Sequence, residues 1–258
     1  MSVSVFGVCS DLGSDRFGTS KGARLLLPEN SKFLCTEPNS RLIKGYPLKH
    51  DIDALLQVQH NEVETHIQNI LKMKDKPFMV GGDHSFSYPI LKTLLNHYPT
   101  IHLLHFDWHT DDCYSRKALA EQKYKTPRHG TFLWLLKYQY SRKLKVTYVG
   151  ATPELSLYGK LAAKPKDIYI KDGEFIYVSI DVDCLTAEEM TSTGYPHEPG
   201  DGGGLHCTDI LEFLTTLKKR EKITIVGGDV VEFGCLDEKP DDLLRAQSLV
   251  SAVNALLM

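Results

Sequence analysis

The stretch "IHLLHFDWHTDD", residues 101–112, decides how the chain is read. It opens as a β-prone, nearly continuous apolar run, and Asp107, His109 and Asp111 follow at alternate positions. A run without polar alternation suits a parallel strand covered on both faces. Alternate residues share a side while a strand lasts, so its end is expected to present two carboxylates and an imidazole together.

Working outward, similar runs occur at "VSVFGV" (3–8), "FMVGG" (78–82), "KVTYVG" (145–150), "FIYVSID" (175–181) and "ITIVGGD" (223–229). Between them, apolar residues fall mostly at helical spacing over 51–73, 85–98, 131–144, 208–220 and 241–258. Strands alternating with helices predict an α/β fold: a three-layer α/β/α domain over 1–258 with a mostly parallel, doubly wound sheet. The two irregular stretches, 112–130 and 184–206, are long enough to be functional loops.

The 258 residues are 42% hydrophobic and 24% charged, with a net charge of −3. No basic stripe calls for nucleic acid, and no apolar run is long enough to span a membrane. The first thirteen residues lack the features of a signal peptide. Six cysteines are scattered without a Cys-x-x-Cys pair, which reads as reduced thiols in a cytoplasmic protein.

In such sheets ligands bind beyond the carboxyl ends of the strands. Four expected strand ends carry unusual residues: His84, the Asp107/His109/Asp111 set, Asp181 with Asp183, and Asp229 with Glu232. Clustered carboxylates cannot all stay ionised in a buried place without cations. His84 and His109 with the aspartates at 107, 111, 181 and 183, two imidazoles with four carboxylates and no thiolate, suit a hard ion, Mn²⁺ before Zn²⁺. Six side chains exceed what one catalytic ion uses, so two metals sharing carboxylates fit better. Each feature alone has a bland explanation, as a turn, a cap or a core histidine. Their conjunction does not.

These motifs resemble those of the ureohydrolases, the family of arginase, agmatinase and formimidoylglutamase. They read "GGDHS" (81–85), "DWHTD" (107–111), "SIDVD" (179–183) and "DVVE" (229–232), in the family's order. The glycine-rich start (7–26) and "YPHEPGDGGGL" (195–205) extend the resemblance along nearly the whole chain. It implies two Mn²⁺ ions, one held by His84, Asp107, Asp111 and Asp181, the other by Asp107, His109, Asp181 and Asp183. The ions would acidify a shared water, with Asp111 orienting it toward a guanidinium carbon. Glu232 would hold the guanidinium, and His129 in "TPRHGTF" would shuttle a proton to the departing amine. Asp83 reads as structural, and Asp229 as a support that touches no metal.

Other residues take the ordinary reading. His105 is expected in the core, and His197 and His206 on a solvated loop. Cys113, Cys184 and Cys235 are close to the motifs and read as small fillers. "GSDRFGTSK" (13–21) lacks the Gly-Lys-Ser/Thr of a phosphate loop, and "GDGGG" (200–204) lacks the acidic partner of a dinucleotide site.

Where arginases read the amino-acid end of their substrate, this chain departs. Cys113 stands for an expected asparagine, and "VGATPEL" (149–155) offers only Glu154 in place of an acidic loop. Thr186-Ala187 replaces the family's Asp-Pro, and Phe233-Gly234-Cys235 its aliphatic-Asn-Pro. The expectation is a manganese amidinohydrolase that releases urea from an arginine-like substrate, leaving an ornithine-type amine. Free L-arginine is not expected to be the best substrate, whereas a peptide-bound or modified arginine is. Agmatinase-, formimidoylglutamase- and N-hydroxyarginine-type activities are the close alternatives. A zinc deacetylase and a non-catalytic metal-bound scaffold rank lower. The expected partner is a guanidino small molecule or an arginine-containing peptide, not nucleic acid or membrane, and a homo-oligomer stays open.

Overall fold

Each of the six apolar runs forms a strand of one sheet in the computed structural model, which describes residues 2–36, 49–112, 126–151, 159–197, 203–234 and 239–258. The strands are β1 (Val3–Val8), β3 (Lys76–Val80), β4 (Ile101–Phe106), β5 (Leu144–Val149), β7 (Phe175–Asp181) and β8 (Thr224–Val231). Two three-residue strands, β2 (Lys32–Leu34) and β6 (Lys160–Ala162), add the edges. They are too short to show a period in sequence, and short edge strands offer little to a stray partner. The order is β2-β1-β3-β8-β7-β4-β5-β6, and every described pairing is parallel.

The helices are α1 (Gly22–Leu26), α2 (Lys49–Lys72), α3 (Ser87–His97), α4 (Phe132–Tyr140), α5 (Cys207–Lys218) and α6 (Pro240–Leu257). The helical pattern of 131–144 ends early, at Tyr140, because Leu144 already begins β5. Alternate residues of the strands feed two cores. On one face Phe78, Leu104 and Val178 pack with Ile210 of α5 and Leu249 of α6. On the other, Met79, Leu103 and Tyr177 pack with Ile67 of α2, Leu91 of α3 and Phe132 of α4. Every residue of β4 is buried, as a strand covered on both faces requires. Among the described residues no helix is long and apolar enough to cross a membrane.

The strand order positions the site. The chain runs β3 to β4, yet β8 and β7 lie between them. Four neighbouring strands, β3, β8, β7 and β4, therefore bring segments near residues 84, 232, 181 and 107 to one edge.

Candidate metal centre

His84 follows a turn that only glycine makes easily. Gly81 and Gly82 have φ of +79° and +78°, and a Cβ on Gly81 would strike the backbone of Ala23. Asp83 then caps the short turn His84–Phe86, accepting from the Ser85 N–H at 3.0 Å and from the Gly13 N–H at 2.9 Å. It ties the glycine-rich start to the His84 turn, in keeping with its structural reading.

The His84 ring is fixed from behind. Asp229 accepts from Ser87 Oγ and Tyr177 OH, both at 2.7 Å, and from Ser179 Oγ at 2.6 Å. Ser179 spends its proton there, so at 2.9 Å from His84 Nε2 its oxygen can only accept. Nε2 therefore carries the ring hydrogen, and Nδ1 is left to face the carboxylates: Asp111 Oδ2 at 2.9 Å, Asp107 Oδ2 at 3.1 Å and Asp181 Oδ2 at 3.3 Å. Fixing the tautomer through the distal nitrogen is how proteins prepare a metal-binding histidine.

Asp107, His109 and Asp111 do not converge by the strand alternation that their spacing predicts. β4 stops at Phe106, and a bend gathers the three. Asp107 Oδ1 accepts the His109 N–H at 2.5 Å, closing a local turn, and Asp111 sits at φ 49°. A side chain–backbone hydrogen bond and a left-handed residue do what alternation was expected to do. Asp181 acts likewise, accepting the Asp183 N–H at 2.8 Å. His109 Nδ1 lies 2.9 Å from Asp183 Oδ2 and 3.5 Å from Asp107 Oδ1.

Two groups can offer ligand atoms within 4.8 Å of one another: His84, His105, Asp107 and Asp111, and then Asp107, His109 and Asp183. Asp107 belongs to both. His84 Nδ1, Asp107 Oδ2 and Asp111 Oδ2 are buried without a hydrogen-bond partner among the described residues. Unpartnered buried acceptors turned toward one another repel, and a divalent cation is what removes the conflict. The donors are imidazole nitrogen and carboxylate oxygen, which fits hard divalent ions.

The protonation pattern tells the same story of crowding. Burial disfavours charge on His84, yet Asp107, Asp111 and Asp181 outweigh it and raise the imidazole well above its usual range. His109 is pushed up to about 12: burial opposes this, but Asp107 and Asp183 prevail. Burial would raise Asp107 too, but the surrounding imidazoles, His105 foremost, hold it well below the carboxylate range. Burial and then Asp183 and Asp107 drive Asp181 well up, and burial with Asp107 raises Asp183. The carboxylates cannot all be ionised beside one another without added positive charge.

Glu232 follows β8 at φ 64°, and with Asp111 it is a non-glycine residue in the left-handed region beside the cluster. Such conformations cost roughly 1–3 kcal/mol each and gather at functional sites. Glu232 Oε1 accepts the His84 N–H at 2.9 Å, while Oε2 is buried without a partner among the described residues. Burial, and next the charge of Asp83, push it well above the usual carboxylate range. His129 hangs from the glycine-rich start, its N–H donating to Gly13 O at 3.2 Å, and its Nε2 lies 3.4 Å from Tyr195 OH.

His105 lies in the core as expected, fully buried, and with Nε2 3.1 Å from Asp107 Oδ2 and its ring stacked on His84 at 5.0 Å it also touches the cluster. His197 is buried rather than solvated; it donates from Nε2 to the Asp183 carbonyl at 2.6 Å and packs on Trp108 at 4.1 Å. His206 is exposed as expected, beside Glu189 at 3.1 Å. Tyr195 and His197 lie in the "YPHEPGDGGGL" stretch, but nothing in that stretch marks either side chain for the cluster. His105, two residues before Asp107, shares the alternation that marks Asp107 in the sequence. Cys184 is a free buried thiol, while Cys113, Glu154 and Cys235 lie outside the described residues.

The fold of this chain is one already seen in solved proteins. It superposes on a hypothetical agmatinase from Burkholderia thailandensis with a TM-score of 0.75, 19% identity, and 99% of this chain and 85% of that one covered. For arginase from Bacillus subtilis the TM-score is 0.73 at 18% identity, covering 100% and 98%. The family model described as the arginase family matches residues 1–164 and 137–251, and the chain belongs to that family. In sequence it is 25% identical over 186 residues to an agmatinase of Blochmanniella floridana, covering 67% of this chain and 57% of that protein. It is 29% identical over 197 residues to an arginase of Glycine max, covering 69% and 51%. The matched segment thus spans only about half the length of these curated relatives.

Proposed function

We propose that the protein is a binuclear metal amidinohydrolase that cleaves a guanidino group to urea and an amine. The observation that carries this reading is Glu232 Oε2: a buried carboxylate oxygen without a partner among the described residues, on a residue hydrogen-bonded to the backbone of His84. A planar, permanently charged guanidinium is the ligand such an oxygen suits best. A formimino substrate would leave that acid less well matched.

Two divalent ions, manganese by the donor set, would be held by His84, Asp107, Asp111 and Asp181 and by Asp107, His109, Asp181 and Asp183. Bound there, they would supply Lewis acidity and a water acidified toward neutral pH. The remaining work falls to the chain. Asp111, anchored at its left-handed φ, orients the attacking water and takes its proton. Glu232 presents Oε2 to the guanidinium and fixes the plane of the reacting carbon. His129 passes a proton to the departing nitrogen, with Tyr195 OH beside its Nε2. Ser179 and Asp229 keep the His84 tautomer constant throughout.

The substrate is read as guanidino-bearing but not free L-arginine, because the asparagine and acidic loop that would pair its α-groups are missing from the sequence. The test is urea release by the manganese-loaded protein from a panel of guanidines. It includes free arginine, arginine capped at both ends, and formiminoglutamate. Urea from any guanidine supports the hydrolase. Turnover of formiminoglutamate alone overturns it, and a clear kcat/KM preference for free arginine overturns the substrate reading only.

A further inference from the structure

Outside the metal-ligand cluster, the segment 13–18 carries an arginine held in place at the site's edge. Gly13 binds both Asp83 and the His129 N–H, so this segment is joined to the His84 turn and to the proposed proton shuttle. Arg16 donates from Nη1 to the Gly194 carbonyl at 2.6 Å and lies over the Tyr195 ring at 4.5 Å. Tyr195 also stacks on His129, with centroids 5.0 Å apart and planes 16° apart, and it meets His109 edge-on at 6.0 Å. Gly194 spans the short gap to the acid: a Cβ built there would sit 3.5 Å from Glu232 Oε2 and 3.9 Å from Arg16 Cβ.

The arrangement has a polarity. Glu232 is buried and Arg16 exposed, with Gly194 between them. Arg16 is exposed, and among the described residues it forms no ion pair, although Asp15 precedes it. Arg128, the other arginine beside His129, is taken up by Asp53 at 2.7 Å. Stacking on an aromatic face and one backbone hydrogen bond hold the Arg16 fork in place while leaving further N–H groups for an anion. Much of the entropy cost of ordering that side chain has then been met before a ligand arrives.

We propose that Arg16, braced on Tyr195, is a specificity-determining residue that reads a carboxylate at the far end of the guanidino substrate. This rests on the proposed function for the guanidinium end, and it narrows the substrate to a guanidino acid. A far-end ammonium would meet Arg16 as a like charge, which disfavours guanidino amines. An amino acid, which offers both charges, gains less than an acid that offers the carboxylate alone.

Equilibrium binding to the manganese-loaded protein tests this without relying on turnover. Three probes of matched length are used: 4-guanidinobutanoate, butylguanidine and 4-aminobutylguanidine. The expected order of affinity is acid, neutral, amine, with the acid ahead of the neutral probe by about fivefold, the scale of one exposed charge-assisted contact. Arg16→Gln should bring that ratio close to one, and Arg16→Lys should keep part of it. The proposal is overturned if the ratio is the same in Arg16→Gln, if the amine binds most tightly to the unaltered protein, or if the acid does not bind. Should the ratio and its loss be seen while no guanidine yields urea, the hydrolase reading fails and the role of Arg16 stands.

Discussion

Ser179 and Asp229 are register partners on β7 and β8, and their side chains share a hydrogen bond of 2.6 Å. Through it Asp229 reaches His84, on a third segment, and decides which imidazole nitrogen is left for a cation. The relay makes a specific expectation. Ser179→Ala should leave the fold intact but weaken manganese binding about tenfold or more, as loss of such support does elsewhere. Calorimetric titration measures it, and an unchanged affinity would show the relay to be idle.

The next expectation concerns stoichiometry. The protein loaded with Mn²⁺ should carry about two ions per chain, the number a shared-carboxylate site implies. Asp181→Ala should lose at least one of them and most of the activity. Full activity with one ion, counted by elemental analysis, would end the binuclear reading.

Glu232→Gln should keep both ions and still lose turnover steeply. The amide cannot pair with a guanidinium, and its own N–H₂ would oppose the substrate in a dry place. Near-normal kcat/KM in that variant would remove Glu232 from its proposed role.

His129→Ala should lower kcat by about 10²–10⁴-fold with a smaller effect on KM, the range for a lost acid–base group. Metal content separates this from a structural defect: a parallel loss of manganese would reassign the residue.

Asp242 sits on α6, away from the cluster, and its Oδ2 accepts from the backbone and hydroxyl groups of both Thr191 and Ser192, at 2.8–3.1 Å. These contacts hold the start of the segment that carries Gly194 and Tyr195. Burial alone would raise its pKa, but those four donors lower it below the ordinary 3.8. A depressed carboxylate contributes stability that is present above its unfolded value and lost as pH falls through the folded one. Asp242→Ala should therefore destabilise the protein by about 1–3 kcal/mol near neutral pH. The difference from the unaltered protein should shrink below about pH 4. Denaturant melts at two pH values check the sign; a gap that widens in acid would contradict it.

Much of the fold and of the cluster is legible in the amino-acid sequence alone. Six buried parallel strands announce themselves as apolar runs, because both faces of each must be covered. His84, Asp107, Asp181 and Glu232 stand out because charged groups at the ends of such runs need a reason. What the sequence hid was how they converge. The Asp107–Asp111 segment was expected to converge by strand alternation, and the chain uses a turn closed by Asp107 itself. His197 and Tyr195 reach the site from a loop whose path depends on Asp242, fifty residues from Ser192, and no local pattern encodes that distance. His105 reads as packing because, in sequence, a strand histidine that only fills the core looks the same as one that also faces a carboxylate.

The insertion of β8 and β7 between β3 and β4 has a consequence for how the molecule comes to exist. His84 and Asp107 are 23 positions apart along the chain, yet they can meet in the final arrangement only once strands from residues 175–231 have entered the gap between them. The pocket is therefore a late product of folding, completed by the last strand and not available to guide the first. Pairings of such long sequence separation form slowly. Added manganese is accordingly expected to slow unfolding far more than it speeds refolding. Stopped-flow rates with and without the ion would show it, and a strong acceleration of refolding would mean that the ligands assemble early.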